Sequence, residues 1–93
     1  MHRKFFVISY DLKTPDRDYV SLYDAIRSLG ENRHPLESTW VVAADDMDPN
    51  AIYERLKLCI DKSDSILIFE VMPEECQGWL GKSFWEWMRE MTK

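Results

Sequence analysis

Apolar and polar positions follow two different periods along this chain, and each change of period marks an element. Residues 4–10 (KFFVISY) form an almost unbroken apolar, aromatic and β-branched run. The run is too short for a typical helix and does not alternate, which predicts a central strand buried on both faces. Asp11-Leu12-Lys13-Thr14-Pro15-Asp16-Arg17-Asp18 follows, where a proline and several acids break the pattern. The strand therefore ends at Asp11, and Asp18 is placed to cap what comes next. From there Tyr19, Leu22, Ile26 and Leu29 recur at helical spacing, and Gly30 stands where helices commonly terminate.

Residues 31–37 are polar and include Pro35, which has no N–H for a central ladder, so a strand here lies at an edge. Ser38-Thr39-Trp40-Val41-Val42-Ala43 is again apolar and β-branched, and the acids Asp45, Asp46 and Asp48 end it. Asp48 followed by Pro49 pairs a good N-cap with the residue best suited to the first helical position. Ile52, Leu56, Cys59 and Ile60 then form a helical stripe, which predicts a second helix to about Asp61. Residues 65–71 (SILIFEV) form the last strong strand, interrupted afterwards by Pro73 and Gly78. Near the end, Ser83-Phe84-Trp85-Glu86 has capping-box spacing, and Phe84, Trp87, Met88 and Met91 share one helical face.

This order predicts one α+β domain over residues 1–93, a ferredoxin-like βαββαβ sandwich with a short C-terminal helix. Its core spans about 4–72 and its extension about 73–93. Both crossovers are right-handed and put the first two helices on the same sheet face. Within the first 72 residues nothing is left to cover the other face, although strands apolar throughout require cover on both sides. A second copy is the simplest cover, which predicts a face-to-face homodimer. Three of the four tryptophans fall among the last fifteen residues. That is more aromatic area than a solvated tail carries, so the tail packs against the dimer partner or forms a site for a protein partner.

The 93 residues amount to 11.1 kDa, enough for one small domain that buries about 65% of its unfolded surface. The chain is 45% hydrophobic and has only three glycines and four prolines, which excludes a disordered or low-complexity segment. No apolar run reaches the roughly 20 residues of a membrane span, and no cleavable leader is evident, so a cytoplasmic protein without a membrane partner is expected. A net charge of −5 disfavours general duplex binding and confines any nucleic-acid contact to a local patch. Cys59 and Cys76 lack zinc-site spacing and read as reduced structural thiols.

Asp11 is the foremost candidate for chemistry, because a carboxylate at the end of a buried central strand is rigidly held while its head stays accessible. One carboxylate binds Mg²⁺ poorly, but a two-fold dimer supplies two, and a shared Mg²⁺ or Mn²⁺ polarises a phosphodiester and activates water. The plainer alternative is an Asp that forms a turn. Lys13 and Arg17, in the same loop, are candidates for contacting RNA or DNA phosphates, with pairing to the neighbouring acids as the alternative. Asp45, Asp46 and Asp48 lack the spacing of a calcium loop, and His34 has no ligand or triad partner at suitable spacing. Gly-rich phosphate loops and nucleophile elbows are absent.

Three stretches carry a resemblance: FFVISYDL at 5–12, DYVSLYDAIRSLG at 18–30 and LESTWVV at 36–42. Together they resemble the SinR-like branch of the CRISPR-associated protein 2 superfamily, which also contains virulence-associated protein D toxins. The similarity covers roughly residues 4–72. Tyr10-Asp11 looks like the Tyr-Asp that ends that superfamily's first strand, and Ser38-Thr39-Trp40 like its Ser-x-aromatic third strand. The resemblance implies a ferredoxin-like homodimer with sheets face to face, a metal role for Asp11 and at most a neighbouring role for Ser38. It also implies one of two functions: a metal-dependent endonuclease acting on RNA or DNA, or a non-catalytic dimeric scaffold or toxin/regulator module that binds a protein or nucleic acid. The Trp-rich residues 79–91 have no counterpart in it.

Overall fold

Residues 3–13 and 19–93 are described by the computed structural model, and their elements follow the predicted order. Strand β1 (Arg3–Asp11) leads to helix α1 (Val20–Arg27), then to strands β2 (Glu31–Leu36) and β3 (Thr39–Asp45). Helix α2 (Pro49–Leu56), strand β4 (Ser65–Val71) and helix α3 (Lys82–Met91) complete the chain. The sheet order is β2-β3-β1-β4 with every neighbouring pair antiparallel, so the most apolar strands, β1 and β3, are central. Pro35 sits in edge strand β2, where the register against β3 shifts between Arg33 and Leu36.

Period-two alternation divides β1 between the two faces. Phe6, Ile8 and Tyr10 lie beside Trp40, Val42 and Ala44 of β3 and are buried beneath Leu22 and Ile26 of α1 and Ile52 and Leu56 of α2. The Asp48 carboxylate caps α2 by accepting the Ala51 N–H at 2.7 Å, with Pro49 in the first turn. The helix stops at Leu56, before the expected Asp61, because residues 57–59 tighten into a 3₁₀ turn and Ile60 becomes extended. Tyr19 stands at the N-cap of helix α1, and the expected cap Asp18 lies outside the described residues. Gly30 serves close packing, not a left-handed turn: a Cβ there would collide with the Ala43 carbonyl of β3.

The second face corrects the sequence-based expectation in one respect. Helix α3 of the same chain packs on it, burying Trp87 and Met88 against Phe5, Val41 and Ala43, with Val7, Val71, Phe84 and Met91 at the border. The tail's aromatic stripe therefore has its apolar surface within its own chain. Because the helix begins at Lys82 with Gly81 as N-cap, Ser83 falls inside the first turn and the expected Ser83–Glu86 capping box does not form. The cover is partial. Leu67 and Phe69 of β4, opposite Ser9 and Val7 of β1 on this same face, remain 61% and 44% exposed, and Trp79 before α3 is fully exposed.

Among the described residues no helix is long and apolar enough to cross a membrane.

Candidate functional site

Asp11 terminates central strand β1, directly opposite Ser65 on β4. Its side chain is exposed, as strand alternation dictates for the residue beyond the half-buried Ser9 on the incompletely covered face. Ser9, Tyr10, Asp11, Ser65, Ile66 and Leu67 line a shallow open cleft of about 240 Å³ there. A larger cleft of about 490 Å³ at the opposite end of β1 is lined by Arg3, Lys4, Asp45 and Glu70 among others. Its cations lie near its acids, with Arg3–Asp45 and Lys4–Glu70 each at 3.9 Å.

Lys13 reaches back over the strand end, so that its ammonium lies 2.8 Å from Asp11 Oδ2. The hydrogen bond to that carboxylate, followed by its charge, raises the lysine above its ordinary pKa. Both side chains are more than half exposed, 56% for Lys13 and 66% for Asp11. The pair is therefore a solvent-screened contact that is easily broken. Arg17, the other candidate phosphate contact, lies outside the described residues.

The main chain at Lys13 is held from across the fold. Asp64, just before β4, accepts the Lys13 N–H on Oδ1 at 2.8 Å and the Asp61 N–H on Oδ2 at 2.8 Å. The Tyr19 hydroxyl lies 2.9 and 3.0 Å from the same two oxygens. One carboxylate thus ties the strand end, the start of α1 and the α2–β4 connection together. Sequence reasoning missed Asp64 because two of its partners, Tyr19 and Lys13, lie 45 and 51 positions away and no local spacing announces them.

Ser38 sits in the β2–β3 turn with an exposed side chain, and it meets the strand end through its main chain: the Tyr10 N–H donates to its carbonyl at 3.1 Å. The neighbouring Tyr10 hydroxyl accepts the Trp40 indole N–H at 3.0 Å beneath the helices. Burial raises the Tyr10 pKa above 10.0, opposed by this hydrogen bond. His34 stacks on Trp40 at 4.0 Å with planes 10° apart, while Arg27 places its guanidinium 5.2 Å from the Trp40 ring centre. Trp40 is buried, so this cluster seals the β2 edge of the core and offers no open stacking platform.

The acids after β3 have separate structural tasks. Asp45 faces Arg3, Asp46 takes the left-handed turn conformation at φ 56°, and Asp48 caps α2. Among the described residues no three His, Cys, Asp or Glu side chains gather as a metal site. A single exposed carboxylate such as Asp11 fits one part of a Mg²⁺ or Mn²⁺ shell, since these ions are commonly held by one or two carboxylates plus water and phosphate oxygens.

No family model and no curated protein matches this sequence. Among solved structures, the crystal structure of a hypothetical protein TT1823 from Thermus thermophilus is similar to it, with a TM-score of 0.63 and 21% identity. The match covers 86% of this chain and 96% of that one. At this identity the likeness is one of fold.

Proposed function

We propose that the chain adopts the ferredoxin-like topology, belongs with the SinR-like branch of the CRISPR-associated protein 2 superfamily and works as a homodimer that cleaves RNA or DNA with a divalent metal. The observation that carries this reading is the position of Asp11: exposed at the end of a central strand, on the face where Leu67 and Phe69 remain uncovered. Two copies pairing through that open half of the face bring two Asp11 carboxylates towards a common axis. A Mg²⁺ or Mn²⁺ shared there supplies Lewis acidity towards the phosphodiester and an activated water. The chain's own contributions are the two carboxylates that hold the ion and the Lys13 ammonium that offers a phosphate a counter-charge. Ser38 contributes its carbonyl to the strand end.

A second reading, a non-catalytic dimer that binds nucleic acid or protein, is favoured by the Lys13–Asp11 contact, which partly neutralises the carboxylate. The fully exposed Trp79 supports a protein-binding form of it. Cleavage assays on RNA and DNA with Mg²⁺ or Mn²⁺ separate the two. Catalysis predicts activity that chelator and Asp11→Asn each abolish while sedimentation still reports a dimer. A pure wild type that cleaves neither substrate with either metal supports the binding module, and activity unaffected by Asp11→Asn rejects Asp11 as the metal site.

A further inference from the structure

We propose that Lys13 is an exchangeable counter-ion of Asp11: a backbone phosphate of single-stranded nucleic acid draws the ammonium away, and the released carboxylate oxygen then takes the divalent cation. This deepens the metal-site reading of Asp11 and rests on it.

Competition for one atom is the starting point. Lys13 Nζ lies 2.8 Å from Asp11 Oδ2, and a metal bound through that oxygen would bring a second cation into the same place. The contact is also suited to being given up. Both side chains are more than half exposed, so a phosphate can reach the ammonium from solvent, and exposed pairs of this kind hold only weakly. A lysine head on four flexible carbons can exchange one anion for another without a fixed fork to realign. Meanwhile the Lys13 N–H is anchored on Asp64 Oδ1 at 2.8 Å, so the head can swing while the strand end and its carboxylate stay in place. The ammonium remains protonated throughout, as an exposed lysine does at neutral pH. No proton moves; only the counter-ion of each group changes.

The consequence is a coupling between two ligands. Phosphate binding removes the competitor from Asp11, and metal binding releases Lys13 for phosphate, so each strengthens the other by the same factor. The weakness of an exposed pair limits that factor to about fivefold. Nucleic acid and metal thus reinforce each other's binding, and metal alone binds up to about fivefold more weakly than it does beside a bound phosphate.

The test is a Mn²⁺ titration followed by electron paramagnetic resonance on the full chain. It compares wild type, Lys13→Met, Lys13→Arg and Asp11→Asn, alone and with a single-stranded oligonucleotide, and binding is counted above the Asp11→Asn baseline. Ribo- and deoxyribo-oligonucleotides are run in parallel, with a neutral methylphosphonate oligomer as control. Lys13→Met is expected to bind Mn²⁺ up to about fivefold more tightly than wild type. The phosphodiester oligomer tightens Mn²⁺ binding more in wild type and Lys13→Arg than in Lys13→Met, and the methylphosphonate changes none of them. Mn²⁺ bound at Asp11 with equal affinity in wild type and Lys13→Met, or an equal oligonucleotide effect in both, overturns the exchange while leaving the metal site standing. Absence of any binding above the Asp11→Asn baseline overturns the metal site and the exchange with it. Circular-dichroism melts of each variant confirm that the fold is kept.

Discussion

Phe5 of β1 and Trp87 of α3 meet edge to face, with ring centroids 6.5 Å apart and planes at 77°. Through this pair the first strand and the last helix close half of the second sheet face. Aromatic pairs in this geometry contribute about 0.5–1.5 kcal/mol beyond the area they bury. Among the described residues the buried Trp87 indole N–H has no hydrogen-bond partner, which sets a cost against that gain. Trp87→Ala is therefore expected to destabilise by about 3–5 kcal/mol. Trp87→Phe keeps the ring and removes the orphan donor, so its loss should stay below about 1.5 kcal/mol. Urea midpoints at constant m measure both, and equal losses for the two variants would contradict this account.

Tyr10 and Trp40 form the corresponding pair beneath α1 and α2. Tyr10→Phe leaves the buried Trp40 N–H without its acceptor and should cost about 1–3 kcal/mol at neutral pH. Because burial raises the folded-state pKa of Tyr10 above 10.0, the unfolded chain loses this proton first as pH rises. The stability that Tyr10 contributes is full below about pH 10 and declines above it. The gap between wild type and Tyr10→Phe should accordingly narrow between pH 9 and 11, a trend that urea melts across that range can follow.

Leu67 tests the proposed dimer. It is exposed on the half of the sheet face that α3 leaves open, so Leu67→Asp should place a charge in the interface and dissociate the assembly with little effect on the fold. Sedimentation at micromolar concentration reads the change. A wild type already monomeric there, or a variant with unchanged association, excludes this region as the interface.

Asp64→Ala removes the acceptor shared by the Lys13 and Asp61 amides and the Tyr19 hydroxyl. A loss of about 2 kcal/mol is expected, together with faster hydrogen exchange at the Lys13 and Asp61 amides. Unchanged exchange at both amides would mean that the strand end is held by other contacts.

Local chemistry made much of the fold readable in advance. Asp48 and Pro49 mark the start of α2 because cap and first-turn preferences operate within four residues, and Pro35 assigns β2 to an edge because a missing N–H is a property of the residue itself. Where the outcome depends on distant partners, the sequence is silent. The Phe84–Met91 stripe predicts an amphipathic helix, yet no pattern says whether its apolar surface is another copy or Phe5, Val41 and Ala43 of the same chain. Ser83 and Glu86 have capping spacing, but Gly81 carries the helix start two residues earlier. Asp11 and Lys13 are legible as a strand end and a neighbouring cation, whereas the Asp64 anchor beneath them depends on a contact spanning 51 positions.

Helix α3 is synthesised after all four strands, so a nascent chain can pair its sheet before this half of the cover exists. During that interval Phe5, Val41 and Ala43 lie open beside Leu67 and Phe69, forming a continuous apolar surface of the kind that makes incomplete chains prone to aggregate. Docking of Lys82–Met91 ends that exposure, and the yield of soluble product should depend on how promptly this helix follows the sheet out of the ribosome.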